Sequence, residues 1–172
     1  KKLPNAVLYM HTERHGYFDL EQYVKDCGAE PGDVYFKLPG IPYTTEALVE
    51  LFNCMDCYVM PSMQEGLSIT IVEAWACGVP VIATDTTSQS DLLDKGAIPI
   101  PVTDIAYIPI PKDGGGVVWH DAKAANFPAL VDAMVTVGSS QTVRETLIKE
   151  GLDQYKKWTE GIHDVNAFLE EA

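Results

Sequence analysis

The sequence predicts an α/β fold, a Rossmann-like doubly wound and mostly parallel sheet, and three observations carry that expectation. Short apolar runs alternate along the chain with segments of helical period. Gly or Pro marks the changes from one to the other. The composition, 47% hydrophobic and 22% charged over 172 residues, is that of a folded domain with enough chain to bury a sizeable core. At this length the simplest organisation is a single domain over 1–172. Alternating units of this size call for a parallel sheet with right-handed crossovers, and such sheets bind ligands outside the carboxyl ends of their strands.

Taken in order, AVLYMHT (Ala6 to Thr12) is a short apolar run and so a buried strand. In FDLEQYVKDCG, Leu20, Tyr23, Val24 and Cys27 fall at helical spacing and Gly28 stops the helix. DVYFKL (Asp33 to Leu38) is the next strand and PGIP (Pro39 to Pro42) a turn. Thr44 or Thr45 then caps a helix carrying Leu48, Leu51 and Phe52 on one face. CYVMP (Cys57 to Pro61) is a third strand; after a loop, a helix runs over about Ile69 to Cys77 with Gly78 as its stop, and VPVIAT (Val79 to Thr84) is the fourth strand. A short helix near Ser88 to Asp94 leads to AIPIPV (Ala97 to Val102). From Pro99 to Gly116 four prolines and three glycines predict a surface excursion without regular structure. Asp121 to Val137, Thr142 to Glu150 and Leu152 to Leu169 read as three helices separated at Gly138 and Gly151, with Trp158 as a core aromatic.

Charge removes several function classes. With 12 Lys+Arg against 25 Asp+Glu the net charge is −13, which repels a phosphate backbone and argues against nucleic acid as a partner. No run reaches the ~18 apolar residues of a membrane span, and Lys1 and Lys2 lead into LPN rather than the apolar block of a secretory leader, so the chain reads as cytoplasmic. Cys54 and Cys57 form C-x-x-C without a second pair, while Cys27 and Cys77 stand alone, which favours small apolar packing over zinc. HTERH (His11 to His15) places its glutamate wrongly for a zincin. Gly114 to Gly116 lacks the spacing of a phosphate loop.

The chemistry-bearing stretch is PSMQEGLSITIVEAWACGVPVIATD, residues 61 to 85, where Glu65 and Glu73 flank a glycine and a helix start. A structural reading makes Thr70 and Glu73 a T-x-x-E capping box and Glu65 a solvated loop residue. A functional reading treats the free amides at Gly66, Leu67, Ser68 and Ile69, with the helix dipole behind them, as a phosphate site. Glu73, a carboxylate inside the first turn, then suits a vicinal diol such as ribose, and Glu65 faces whatever hangs beyond the phosphates.

This stretch resembles the signature of the retaining, GT-B type group 1 glycosyltransferases, P-S-x-x-E-G-F-G-L followed by E-A-M-A-x-G-x-P-V-I, with its E-x7-E glutamates. Glu65, Gly66, Glu73, Ala74, Ala76, Gly78, Pro80, Val81 and Ile82 stand in register, and the resemblance covers about Val34 to Asp94. It implies the C-terminal, nucleotide-sugar-binding half of a GT-B fold. Glu73 would hold the donor ribose, amides from Gly66 to Ile69 the diphosphate, and Glu65, as the catalytic residue, the transferred sugar near its reacting carbon. The turn Pro39, Gly40, Ile41 would lie by the base. No cofactor or metal is implied. Ser68 stands where the family has a second glycine. The family's Arg and Lys that meet the diphosphate, and the N-terminal domain that binds the acceptor, are expected upstream in the same polypeptide, so this chain alone is expected to bind donor weakly and to transfer negligibly. The alternatives are a non-catalytic α/β ligand-binding or interaction module of the same fold, and a nucleotide-sugar epimerase or hydrolase, for which His11 and His120 are the candidate catalysts.

Overall fold

The computed structural model describes residues 2–15, 19–40, 42–111 and 116–170, so Ile41, Gly114 and Gly115 lie outside the described residues. The chain divides into two compact units, Lys1–Leu48 and Val49–Ala172.

In the first unit β1 (Leu8–Met10) and β2 (Val34–Phe36) pair in parallel, Leu8 opposite Val34 and Met10 opposite Phe36. The helix between them, α1 (Leu20–Asp26), starts where Asp19 caps it: the carboxylate accepts the Gln22 amide at 3.0 Å. The helix α2 (Thr45–Asn53) spans the boundary between units, and its cap is Thr44, whose Oγ1 accepts the Ala47 amide at 3.3 Å.

The second unit holds a parallel sheet of β3 (Tyr58–Met60), β4 (Val81–Thr84) and β5 (Ala97–Ile100) in the order β3-β4-β5. Every residue of β4 is buried, and its alternation divides the core in two. Val81 and Ala83 join Phe52, Met60, Trp75 and Leu93 on one side. Ile82 joins Ile100, Leu130, Ala133, Val137 and Leu147 on the other. A strand covered on both faces is what a doubly wound layer requires. The first face is covered by α3 (Ile69–Ala76), the second by α5 (Phe127–Ser139) and the first turns of α6 (Gln141–Glu170). At the end of α3, Gly78 takes φ +68° and the Val79 amide bonds back to Ala74 O at 2.9 Å, the expected stop.

Three expectations fail here for identifiable reasons. Residues 102–125 are an antiparallel hairpin, β6 (Val102–Pro111) with β7 (Val117–Ala125), rather than an irregular excursion running into a helix. In a two-stranded ribbon each strand keeps an open edge, so Pro109 and Pro111, two apart, can turn their missing donors outward. Pro99 lies on β5, an edge strand. The helix expected from Asp121 starts only at Phe127, where Asn126 Oδ1 accepts the Ala129 amide at 3.0 Å. Gly151 does not break a helix either, because α6 runs through it.

That glycine has another purpose. Trp75 is buried, its Nε1–H donating to Gly96 O at 2.8 Å, and the backbone of α6 passes directly over the ring. A Cβ on Gly151 would stand 2.5 Å from Trp75 Cδ1, and one on Gly96, at φ +75°, would stand 2.5 Å from Gly151 Cα. Two backbones and an indole meet where no side chain fits.

Helix propensity alone would make Gly151→Ala stabilising by about 1 kcal/mol, whereas this contact makes it destabilising by about 1–3 kcal/mol. Gly161→Ala, in the same helix with nothing within 4 Å of the added carbon, keeps the propensity gain. Thermal denaturation of both variants should show opposite shifts in Tm.

Candidate functional site

Of the expected site residues, Glu65, Gly66, Leu67, Ser68, Ile69 and Glu73 follow one another from the carboxyl end of β3 into α3, whereas Pro39 and Gly40 stand in the first unit. Just after β3, Ser62 Oγ donates to Glu65 Oε1 at 2.7 Å and so orients the carboxylate. The main chain of Glu65 is gripped from across the sheet. Its amide donates to Thr87 Oγ1 at 3.1 Å, and its carbonyl accepts from Ser88 Oγ at 3.2 Å. Those hydroxyls stand on the loop that leaves β4. The same loop is tied to the first by Thr84, fully buried, whose hydroxyl donates to Ser62 O and lies 3.0 Å from Gln89 Oε1. One hydroxyl carries one proton, so Thr84 Oγ1 shares it between Ser62 O and Gln89 Oε1, while the buried Gln89 NH2 has no partner among the described residues.

Leu67, Ser68 and Ile69 form an inverse γ-turn. Ser68 has φ −81° and ψ 62°, and the Ile69 amide is spent on Leu67 O at 2.9 Å. The amides of Gly66, Leu67 and Ser68 meet no acceptor among the described residues. So of the four expected donors Gly66, Leu67 and Ser68 keep amides without an acceptor among the described residues, and Ile69 adds an exposed side chain instead, 43% accessible beside Leu67 at 58%. Ser68 itself is buried, and its Oγ has no partner.

The expected capping box is absent. Ser68 is the N-cap, the first turn of α3 holds no acid, and Thr70 turns inward, accepting the Tyr58 hydroxyl at 2.9 Å and facing Met60 Sδ at 3.5 Å. Glu73 is therefore a second-turn residue rather than a first-turn one, exposed, with no side-chain hydrogen bond among the described residues. Tyr58 reports on both acids. Burial raises its phenol above the usual value, the bond to Thr70 works against that, and the charges of Glu65 and Glu73 both add to the rise.

Pro39 and Gly40 are exposed residues of the first unit, Gly40 at φ +72°. That unit contains a cavity of about 390 Å3 lined by Arg14, Glu21, Val24, Lys25, Tyr35 and Phe36; another of about 320 Å3, between Met55, Gly78, Arg144 and Ile148, lies in the second. Neither is lined by Glu65, which is half-buried, or by Glu73, which is exposed. Among the candidates set aside earlier, Cys54 is exposed while burial pushes the Cys57 thiol up to about 12. His11 is lowered by burial and by Lys37, and it packs edge-on against Tyr43. Among the described residues no cluster of metal-ligating side chains assembles, and no helix is long and apolar enough to cross a membrane.

Sequence reasoning missed Thr84, Thr87 and Ser88. The signal was present as a run of hydroxyl residues, ATDTTSQS, directly after a strand, since the carboxyl ends of neighbouring strands converge on one place.

Residues 16–108 match the family model described as Glycosyl transferases group 1. Over 79 residues the chain is 43% identical to a D-inositol 3-phosphate glycosyltransferase of Pseudarthrobacter chlorophenolicus, a match covering 46% of this chain and 18% of that protein. A stretch of 46 residues is 41% identical to the lipopolysaccharide core biosynthesis mannosyltransferase LpsB of Rhizobium meliloti, covering 27% of this chain and 13% of that one. The chain thus spans about a fifth of the length of the curated relative it matches over 79 residues. Among solved structures, a sucrose-phosphate synthase of Thermosynechococcus elongatus aligns with a TM-score of 0.63 at 17% identity, over 96% of this chain and 37% of its own, a likeness of fold.

Thr84→Val removes a buried hydroxyl that serves both Ser62 O and Gln89, at almost constant volume. It should cost about 1–3 kcal/mol, read as a lower urea midpoint with an unchanged m-value.

Proposed function

The chain belongs to the group 1 glycosyltransferases, and from that premise we propose that it is the nucleotide-sugar-binding part of a retaining enzyme, the C-terminal half of a GT-B pair. The donor diphosphate docks on the free amides of Gly66, Leu67 and Ser68, where the dipole of α3 adds to the attraction. Glu73, one turn further along α3, takes the ribose diol. Glu65 takes hydroxyls of the transferred sugar and stabilises the positive charge that grows at the anomeric carbon as its bond to the diphosphate breaks. Pro39, Gly40 and Ile41 are assigned to the base, and the acceptor to a partner domain of the same polypeptide.

The observation that carries this reading is at Gly66. Its φ is not positive, and a Cβ added there would meet nothing within 4 Å. The fold makes no demand for glycine at this position. A diphosphate pressed against the backbone would. Loop residues that the scaffold does not need, set beside unpaired donors, favour a ligand site. The net charge of −13 works against binding a diphosphate, so affinity has to come from the local amides and from cations elsewhere in the polypeptide. Donor binding by this chain alone is correspondingly weak and its transfer negligible.

Calorimetry with UDP-, GDP- and ADP-sugars checks this. Micromolar affinity together with turnover would overturn the claim of weakness, and no nucleotide binding at all would favour a non-catalytic module of the same fold. Glu73→Ala should lose about tenfold in nucleotide affinity, the value of a charge-assisted hydrogen bond; a variant that binds as the parent does removes the ribose assignment. Gly66→Ala should keep or slightly raise Tm, because the unfolded chain loses freedom, while its donor affinity falls.

A further inference from the structure

Thr87 is the one non-glycine with positive φ among the described residues, at φ 49° and ψ −138°. The Gln89 amide bonds to Thr86 O at 3.1 Å, which closes a β-turn with Thr87 in second place. Those dihedrals are of type II′, a position that glycine dominates. A β-branched side chain is among the worst choices there. Nothing about the turn itself rewards it: Thr87 is exposed, and no side-chain bond from it caps α4 (Ser88–Leu92). Among the described residues its side chain makes one hydrogen bond, in which Oγ1 accepts the Glu65 amide, and the next hydroxyl, Ser88, donates to the Glu65 carbonyl.

We infer that Thr87 and Ser88 are positioning residues for Glu65: a turn kept in an unfavourable conformation so that its hydroxyls hold the Glu65 backbone and aim the carboxylate at the transferred sugar. The inference rests on the donor-site reading above. It extends that site to the loop after β4, which no expected site residue occupies. The geometry is economical, because Ser62 fixes one carboxylate oxygen while Thr87 and Ser88 fix both main-chain groups, leaving Oε2 with no partner among the described residues. A carboxylate so constrained meets a sugar hydroxyl without first losing rotamer freedom. Strain held at a site in this way has a plain signature: relieving it stabilises the fold and harms the function.

Thr87→Gly relieves the turn and deletes the hydroxyl; Thr87→Ser keeps the hydroxyl and removes the β-branch. NMR on the 172-residue chain reads hydrogen exchange at the Glu65 amide and titrates three pairs of probes: UDP-glucose with UDP, GDP-mannose with GDP, and ADP-glucose with ADP. In Thr87→Gly we expect Tm unchanged or higher, exchange at Glu65 faster by about tenfold, diphosphate affinity within about twofold, and the advantage of sugar nucleotide over diphosphate cut about fivefold, the worth of one hydrogen bond. Thr87→Ser restores both the exchange rate and the sugar advantage. Unchanged exchange at Glu65 in Thr87→Gly overturns the inference, as does a parallel fall in Tm, diphosphate affinity and sugar advantage, which marks a merely structural turn. A parent chain that binds no sugar nucleotide better than its diphosphate overturns the role given to Glu65 instead, and the exchange measurement still decides whether Thr87 holds it.

Discussion

How deeply α3 sits on the sheet governs everything at the mouth of that sheet, and one indole sets the depth. Trp75 lies between β4 and α6, its N–H bonded to Gly96 O, under a stretch of α6 backbone from which a side chain is missing at Gly151. Burial of such a ring is among the largest single contributions to a core of this size, of order 3–5 kcal/mol on truncation. Because the contact is backbone against ring, it tolerates no sliding. The opposite end of the same helix carries Ser68 and the unpaired amides, with Glu73 one turn in. Both ends belong to one eight-residue helix, so the packing at Trp75 also bears on where Ser68 and Glu73 stand.

Around that ledge the polar groups are bound to each other across the sheet rather than along the chain. Thr84 ties the loop after β4 to Ser62, and Thr87 and Ser88 hold Glu65, each pair more than twenty residues apart in sequence. Hydroxyls suit this task because they donate and accept at once and carry no charge to repel a diphosphate. Glu73 is exposed without a structural bond, and Glu65 has one oxygen oriented by Ser62, so neither is consumed in holding the fold. In a chain this acidic, attraction for an anion would have to be local, and unpaired amides at a helix start add no net charge.

Much of this was legible residue by residue. Strand and helix alternation located β1 to β5 and α1 to α4, Gly78 stopped α3 where expected, and the motif around Glu65 and Glu73 identified the family that the comparison then matched over residues 16–108. What misled was punctuation read without its surroundings. Pro109 and Pro111 argue against a central strand, yet a two-stranded ribbon has no centre. Gly151 argues for a helix end, yet it sits where another residue needs the space. Asn126 before Phe-Pro is the true start signal, which an apolar period counted from Asp121 passes over.

By itself, then, the sequence determined the class of fold, the family and which carboxylates to suspect, because periodicity, stop residues and a dense local motif are properties of neighbours along the chain. Only the tertiary structure decided that Thr70 faces inward instead of capping α3, that the Ile69 amide is already spent, and that Thr87 and Ser88 reach Glu65. The physical reason is that a hydrogen bond between two loops depends on where parallel strands bring their carboxyl ends. That distance is set by sheet register and helix packing, to which no spacing in one dimension gives access.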